Sequence, residues 1–344
     1  MNPELGCYLL AGAADDPRRI IDEVRLAEQL GLGTAFLSER FDVKEAATLS
    51  GAAGAVSQHI RIATAATNHN TRHPLVTAAY ATTMHRLTRG RFLLGLGRGG
   101  ARAFAAWGLP PVTTAQLEDV AGLLRRLWRG ETVRDHDGPA GRYPRLRLDP
   151  EFAEPIPLGL VAFGPQTLAL GGRVFDEVIL HTYFTDETLV RSVRIVKEAA
   201  ERAGRDPASV RVWSCHATIG DHLPESRRLR ATVGRLATYL QVYGDLLVAT
   251  NRWDPEALER FRADPVVAGM RGAIDAVATD AQLEHLSELL PPEWLGAAAR
   301  GSAAQCANSV RGQLDLGADA VILHGATPAE LAPVVAAYRQ PASR

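Results

Sequence analysis

The sequence predicts an α/β fold, a (β/α)8 TIM barrel with insertions around its C-terminal mouth. Two observations predict it. Short apolar segments recur near residues 5, 34, 60, 92, 156, 175, 209 and 319, and each is followed by helical text. Eight regular β-α units are more than an open sheet usually carries, and they match the strand count of a closed barrel. The alternative reading is a doubly wound open sheet. All 344 residues read as one domain, 1–344, with insertions at about 131–154 and 218–300.

The elements follow in order. Residues 5–12 (LGCYLLAG) form a first strand, and Asp15, Asp16 and Pro17 start a helix that Gly31 stops. Residues 34–38 (TAFLS) are the second strand, with Glu39, Arg40, Phe41 and Asp42 as the loop beyond it and a small-residue helix at 45–57. Residues 60–66 (IRIATAA) are β-branched or small, as a strand buried on both faces requires. Thr67 to His73 is a polar tip. Pro74 opens a helix, where its missing N–H costs nothing, and Gly90 ends it. Residues 91–96 are the fourth strand, and Gly97, Gly99 and Gly100 turn the chain. Ala101 to Pro111 reads as a loop, and Thr114 caps a helix at 115–129. The polar stretch 131–154 is an excursion or a small hairpin. Strand 156–163, helix 166–172, strand 175–181, helix 186–203, strand 209–217 and helix 224–240 follow. Residues 241–300 are the least regular, with helices near 255–262, 265–278 and 280–290. A helix at 303–316, a last strand at 319–323 and a helix from Pro328 to Tyr338 close the chain.

An apolar share of 46% with 22% charged residues is globular. A net charge of −1 and the absence of any Lys/Arg run give no footprint for nucleic acid. No stretch reaches ~18 uninterrupted apolar residues, so no membrane span is expected. Cys7, Cys215 and Cys306 lie far apart and form no CxxC, and the N-terminus carries no basic leader; a cytoplasmic protein is expected.

In α/β proteins ligands bind at the C-terminal ends of the strands. There the loop Gly164, Pro165, Gln166, Thr167 joins a strand end to a helix start, whose free N–H groups can hold an anion; a plain capped turn is the alternative. The run Gly95 to Gly100 (GLGRGG) departs from GxGxxG. Its glycines turn the chain or let a flat ring approach, and Arg98 is a ligand-facing or a solvated charge. His69, His73, His181, His216 and His324 lie at or just past strand ends and are the acid–base candidates. No HExxH or other metal spacing occurs, and no GxSxG elbow. Cys215 reads as a core thiol. Phe104, Trp107, Tyr183 and Trp253 either wall a pocket or anchor the insertions.

The run Thr64 to Asn68 (TAATN), then Thr71 to Pro74 (TRHP), RFLLGLGRGG at 91–100, and FGPQTLALGGR to VFDEVIL resemble the luciferase-like monooxygenase superfamily, and within it the coenzyme F420-dependent oxidoreductases. The resemblance covers residues 5–217 and 302–338. It implies a TIM barrel, often dimeric, so a homodimer is expected. It also implies a non-prolyl cis peptide behind the cofactor ring, at Ala65–Ala66 or one residue away. Thr67 and Asn68 would meet the ring edge. Gly97, Arg98 and Gly99 would pass beside it, with Ser38 and Phe163 near, and Gly164, Pro165, Gln166 and Thr167 would hold the cofactor phosphate. Two departures stand out. Relatives carry Ser-Asp-His after the second strand, where this chain has Ser38, Glu39 and Arg40. The sugar-phosphate-oxidising relatives carry a Glu after the fourth strand, where this chain has Gly100.

Arginine cannot act as a base near neutral pH, so Arg40 is expected to stabilise negative charge. His181, His216 and Glu39 are left to move a proton, with His181 first because it ends a strand. The expected activity is F420-dependent hydride transfer to or from a small organic substrate. The alternatives are an FMN-dependent monooxygenase using reduced flavin and O2, and a flavin-binding protein without catalysis.

Overall fold

The computed structural model describes residues 1–11, 15–40 and 43–340. The expected strand end at Gly12, and Phe41 and Asp42 of the loop after the second strand, lie outside the described residues. Eight parallel strands form the barrel: β1 (Asn2–Tyr8), β2 (Leu32–Leu37), β3 (Arg61–Thr64), β4 (Phe92–Leu96), β5 (Leu158–Val161), β6 (Glu177–Ile179), β7 (Arg211–Gly220) and β8 (Ala320–His324). Each pairs with the next, β8 pairs with β1 (Gly6 opposite Ile322), and β6 pairs with β7 (Val178 opposite Val212), so the sheet closes without a free edge.

The helices that return the chain are α1 (Ile20–Gln29), α2 (Ala46–Val56), α3 (Pro74–Leu87), α4 (Thr114–Trp128), α5 (Pro165–Val174), α6 (Asp186–Arg202), α7 (Ala303–Asp315) and α8 (Pro328–Tyr338). The proline starts are seen at α3, α5 and α8. Thr113, Ser302 and Thr327 each close a capping box at the head of α4, α7 and α8, satisfying donors the first turn leaves open.

Along each strand, side chains alternate between the barrel interior and the helix layer. Phe36, Ala63, Ala65, Leu93, Ile179, Trp213, Cys215, Ala320 and Ile322 face one another inside, with Tyr8 and Val161 against them. The floor is polar and paired. Arg61 and Glu177 meet in an ion pair, and the Trp213 indole N–H donates to Glu177 at 2.6 Å. These bonds satisfy a carboxylate that burial would otherwise penalise.

The stretch 131–154 contains the small hairpin that was one of its two expected forms, Val133–Gly138 antiparallel to Gly141–Leu146. Three details differ from expectation. Residues 101–106 are a short helix rather than loop. The helix expected at 224–240 extends to Asn251, with a π-helical turn at Arg230–Gly234 and a non-helical Tyr243 inside. A further short strand, Ala299–Gly301, extends the sheet beside β7 and was not signalled, since ARG carries no strand pattern.

Candidate active site at the barrel mouth

Alternation decides which side chains reach the mouth. His181 stands two residues beyond the inward Ile179, and His324 two beyond the inward Ile322. His216 follows the inward Cys215, so it faces the helices, where its Nε2 lies 2.9 Å from the Ser309 hydroxyl of α7. The structure therefore brings Arg40 and His181 to the mouth and turns His216 away from it. The sequence carried this signal: Trp213 inside fixes 215 inside and 216 outside.

One wall is built from β3 and β4. The Ala65–Ala66 peptide bond is cis, at the position the resemblance implied. The wall is tied to its neighbours on both sides: Ala65 N–H donates to Leu37 C=O at 2.7 Å, Thr67 N–H to Gly95 C=O at 3.0 Å, and Gly97 N–H to Thr67 C=O at 3.0 Å. A Cβ on Gly97 would stand 2.7 Å from the Ala66 Cβ, and one on Gly95 1.9 Å from the Thr64 carbonyl oxygen. These glycines let two strands close up, which leaves a flat surface of small residues.

The TN-x-x-TRHP text is the frame of that wall. The Thr67 hydroxyl donates to Glu39, Asn68 Nδ2 donates to Gly97 C=O at 2.7 Å, and the Thr71 hydroxyl donates to Asn68 C=O at 3.1 Å. Arg72 reaches Glu39 Oε1 at 2.5 Å and the Thr67 hydroxyl at 2.8 Å. His73 caps α3 through Leu75 N–H. Thr67 and Asn68 stand where the resemblance put them, with their side chains engaged in holding the wall. Glu39, a proton-transfer candidate on sequence, is locked: its side chain is fully buried against Arg72. Burial penalises the Arg72 charge, but hydrogen bonds and ion pairs with Glu39 and Glu45 outweigh it and hold its pKa above the ordinary value.

Beside the wall, Gly164 precedes α5 without a side-chain cap, Gln166 is exposed and Thr167 is buried. The first-turn N–H groups of α5 are thus left for a ligand or water. Arg98 bonds the Thr114 hydroxyl through one guanidinium nitrogen, its Nε is buried without a partner, and burial lowers its pKa. Gly99 has φ +67°, and a Cβ there would enter the Phe104 ring. Ser38 is part-buried just past the end of β2. A wall of small residues, an orphaned Arg98 nitrogen and an uncapped helix start are features a flat phosphate-bearing cofactor fits.

Joined to this wall by the Tyr8 hydroxyl, which donates to Ala65 C=O at 3.1 Å, lies an aromatic and cationic cluster. The His181 ring centroid is 4.4 Å from Phe163, 4.7 Å from Tyr239 and 5.5 Å from Tyr243. The Tyr239 hydroxyl is 3.3 Å from His324 Nε2, while His324 Nδ1 is buried without a partner. Tyr8 meets the His324 ring edge at 5.3 Å. Burial lowers the His181 pKa to about 4. Burial, then the charges of Arg235, His181, Arg40 and Lys44, push His324 well below its ordinary value. Burial, with Arg40 and Arg235 beside it, lowers Lys44 to about 8. Both histidines are therefore neutral near pH 7. The Thr182 carbonyl 2.9 Å from His181 Nδ1 can only accept, so Nδ1 carries the proton and Nε2 keeps a lone pair.

The insertion supplies much of this cluster. Tyr239 and Tyr243 come from helix Arg235–Asn251, whose Leu246 and Val242 also approach Gly164 and Gly100. No sequence pattern marked these tyrosines. Tyr183 and Trp253 anchor the insertion: the Tyr183 hydroxyl donates to Thr232 C=O at 2.9 Å, and Trp253 stacks on Trp294 at 4.7 Å. Two open grooves lie elsewhere, one of about 290 Å³ beside Trp253 and one of about 330 Å³ between α6 and α7, and neither adjoins the mouth. Among the described residues, no group of three His, Cys, Asp or Glu is placed to hold a metal ion.

Comparison with known proteins shows the family and the fold. The sequence model for luciferase-like monooxygenases matches residues 2–341. A 5,10-methylenetetrahydromethanopterin reductase of Methanopyrus kandleri is 24% identical over 291 residues, 79% of this chain and 82% of that protein. The corresponding reductase of Methanolobus tindarius is 27% identical over 213 residues, 60% of this chain; the match spans 64% of that protein. The solved structure of the coenzyme F420-dependent tetrahydromethanopterin reductase from Methanopyrus kandleri superposes with a TM-score of 0.79 at 19% identity, covering 96% of this chain and 97% of that one.

Proposed function

The chain belongs to the luciferase-like monooxygenase family and is an oxidoreductase, and from that premise we propose that it transfers a hydride between coenzyme F420 and a small organic substrate at the barrel mouth. The observation that carries the reading is the wall of Ala65, Ala66 and Gly97 joined through Tyr8 to a cluster of neutral histidine and tyrosine side chains. The likeness to the coenzyme F420-dependent tetrahydromethanopterin reductase of Methanopyrus kandleri supports this cofactor.

Bound F420 would supply the ring carbon that carries the hydride. The chain's own residues do the rest. Ala65, Ala66 and Gly97 would back the ring, and the start of α5 with Gln166 and Thr167 would hold the phosphate. Arg98 and Gly99 line the passage between them. His181 Nε2 accepts the proton that leaves a substrate hydroxyl during oxidation, or returns it in the reverse direction, since its neutral ring offers a lone pair. Arg40 holds negative charge on the reduced cofactor or on the substrate. His216, bonded to α7, takes no part in this reading.

A second reading, with FMN and O2, draws on the family's monooxygenase members and uses the same wall. A cytoplasmic homodimer is the proposed setting. Among the described residues no helix is long and apolar enough to cross a membrane. Expression in a host that makes F420, followed by absorbance and mass analysis of the bound chromophore, tests the cofactor. F420 supports the first reading and FMN the second. If neither binds, both readings fall.

A further inference from the structure

Arg40 is an anomaly. It stands at the mouth, part-buried, with no side-chain hydrogen bond or ion pair among the described residues. Its backbone pairs with Lys44, N–H to C=O at 3.0 Å and C=O to N–H at 2.7 Å, so the two cations share one turn. Lys44 is buried, and its Nζ donates to Leu10 C=O at 2.9 Å.

A third cation arrives from the insertion. The Arg235 guanidinium lies 5.9 Å from the Tyr239 ring centroid, and its Nε is buried without a partner. The partner carboxylates come from the outer layers: Glu23, which acts on Lys44, lies on α1, and Asp275, 2.6 Å from Arg235, lies in the short helix Ile274–Val277. Between these cations stand Tyr8, Tyr239 and His324 with its orphaned Nδ1. No carboxylate is hydrogen-bonded to Arg40, Tyr8, His181, Tyr239, Tyr243 or His324 among the described residues.

The cluster is drawn from the ends of β1, β2 and β8 and from the insertion. The small-residue wall and the α5 start belong to β3, β4 and β5. The cluster adjoins the proposed cofactor wall, since the Tyr8 hydroxyl donates to Ala65 C=O and Glu39 N–H to Ala66 C=O, both at 3.1 Å; Arg235 is ion-paired with Asp275, whereas Arg40 has no side-chain partner among the described residues. A free guanidinium fork with two further cations near it fits a carboxylate bidentately. The flat tyrosine and histidine faces fit an unsaturated body.

We propose that Arg40, Lys44, Arg235 and His324 form an anion subsite that takes the carboxylate of a flat organic acid as substrate. Only the word substrate rests on the hydride-transfer reading; the subsite itself is independent of it. A carboxylate could also come from a cofactor's own tail, and the test separates the two sources.

The full-length protein, without added cofactor, is titrated with benzoate and with neutral benzamide, followed by tyrosine and tryptophan fluorescence. Saturable benzoate binding is expected, about 10-fold tighter than benzamide. Arg40→Gln should lower benzoate affinity by about 10-fold and Arg40→Lys by less, with unchanged far-ultraviolet circular dichroism; about 10-fold corresponds to one charged hydrogen-bonded contact. Equal binding of the two probes, or unchanged benzoate binding in Arg40→Gln, overturns the subsite. Benzoate should also bind when F420 saturates the protein. Its exclusion by F420 would assign the cations to the cofactor tail and overturn the substrate assignment. Failure of F420 to bind, with benzoate binding intact, would instead count against the hydride-transfer reading alone.

Discussion

Glu39 and Arg72 meet beneath the barrel mouth, Oε1 2.5 Å from Nη2, with the Glu39 side chain shut off from solvent. The pair joins the end of β2 to the tip beyond β3, and the Thr67 hydroxyl completes it. Arg72→Met would leave a buried carboxylate without its partner. That should destabilise the protein by about 3–5 kcal/mol. The double variant Arg72→Met, Glu39→Leu should lose less than Arg72→Met alone, because no charge is then stranded. Urea unfolding of the two variants checks the order; a double variant no more stable than Arg72→Met would refute it.

Gly97 and Gly100 differ in what a methyl group would meet. At Gly97 it would press on the Ala66 Cβ at 2.7 Å, and that methyl is fixed to the wall. At Gly100 it would find Val242 at 3.6 Å and Tyr243 at 4.0 Å, ordinary contacts. Gly97→Ala is expected to cost about 1–3 kcal/mol and to weaken cofactor binding about 10-fold or more. Gly100→Ala should change stability by less than about 0.5 kcal/mol. Equal effects at the two positions would show that Gly97 does not set the wall.

The barrel was legible because eight strand-helix units leave few other topologies, and the Pro and Gly punctuation marks most helix ends. The place of the wall came from the family resemblance carried by residues 64–74 and 91–100; the small residues by themselves mark only a buried strand and a close-packed turn. What the sequence hid is the meaning of polar residues next to that wall. Glu39 and Arg72 are 33 positions apart, and only the register of β2 against β3 brings them together. The insertion's tyrosines stayed unread because a π-turn and a break at Tyr243 carry no composition signal. His216 ends a strand as His181 does, but alternation from the inward Cys215 turns it toward the helices.

Gln166 and Thr167 head α5, where no side chain caps the free N–H groups. Gln166→Ala with Thr167→Ala removes two side-chain donors and leaves those N–H groups in place. Cofactor affinity should fall about 10-fold, the effect of one or two lost hydrogen bonds to a phosphate. The helix itself should survive, since Ala is a good helix former. Unchanged affinity by isothermal titration would remove the loop from the site.

His216 gives the acid side of the stability curve a recognisable signature. It is buried against Ser309, and burial lowers its pKa to about 4. An unfolded histidine titrates near ~6.5. Between those values the unfolded chain binds the proton and the folded chain does not. The stabilisation is therefore complete above the unfolded pKa and is lost as pH falls toward about 4. At pH ~5 the loss from this one residue is roughly 2 kcal/mol. His181, also lowered to about 4 by burial, and His324, lowered further by burial and its surrounding cations, act in the same direction. Urea midpoints measured from pH 8 to 5 should fall steeply below pH ~6.5. His216→Gln can keep a hydrogen bond to Ser309 and cannot titrate, so its slope should be smaller by close to one proton. A slope identical to that of the unsubstituted protein would mean that His216 is protonated in the folded state, contrary to its buried place behind β7.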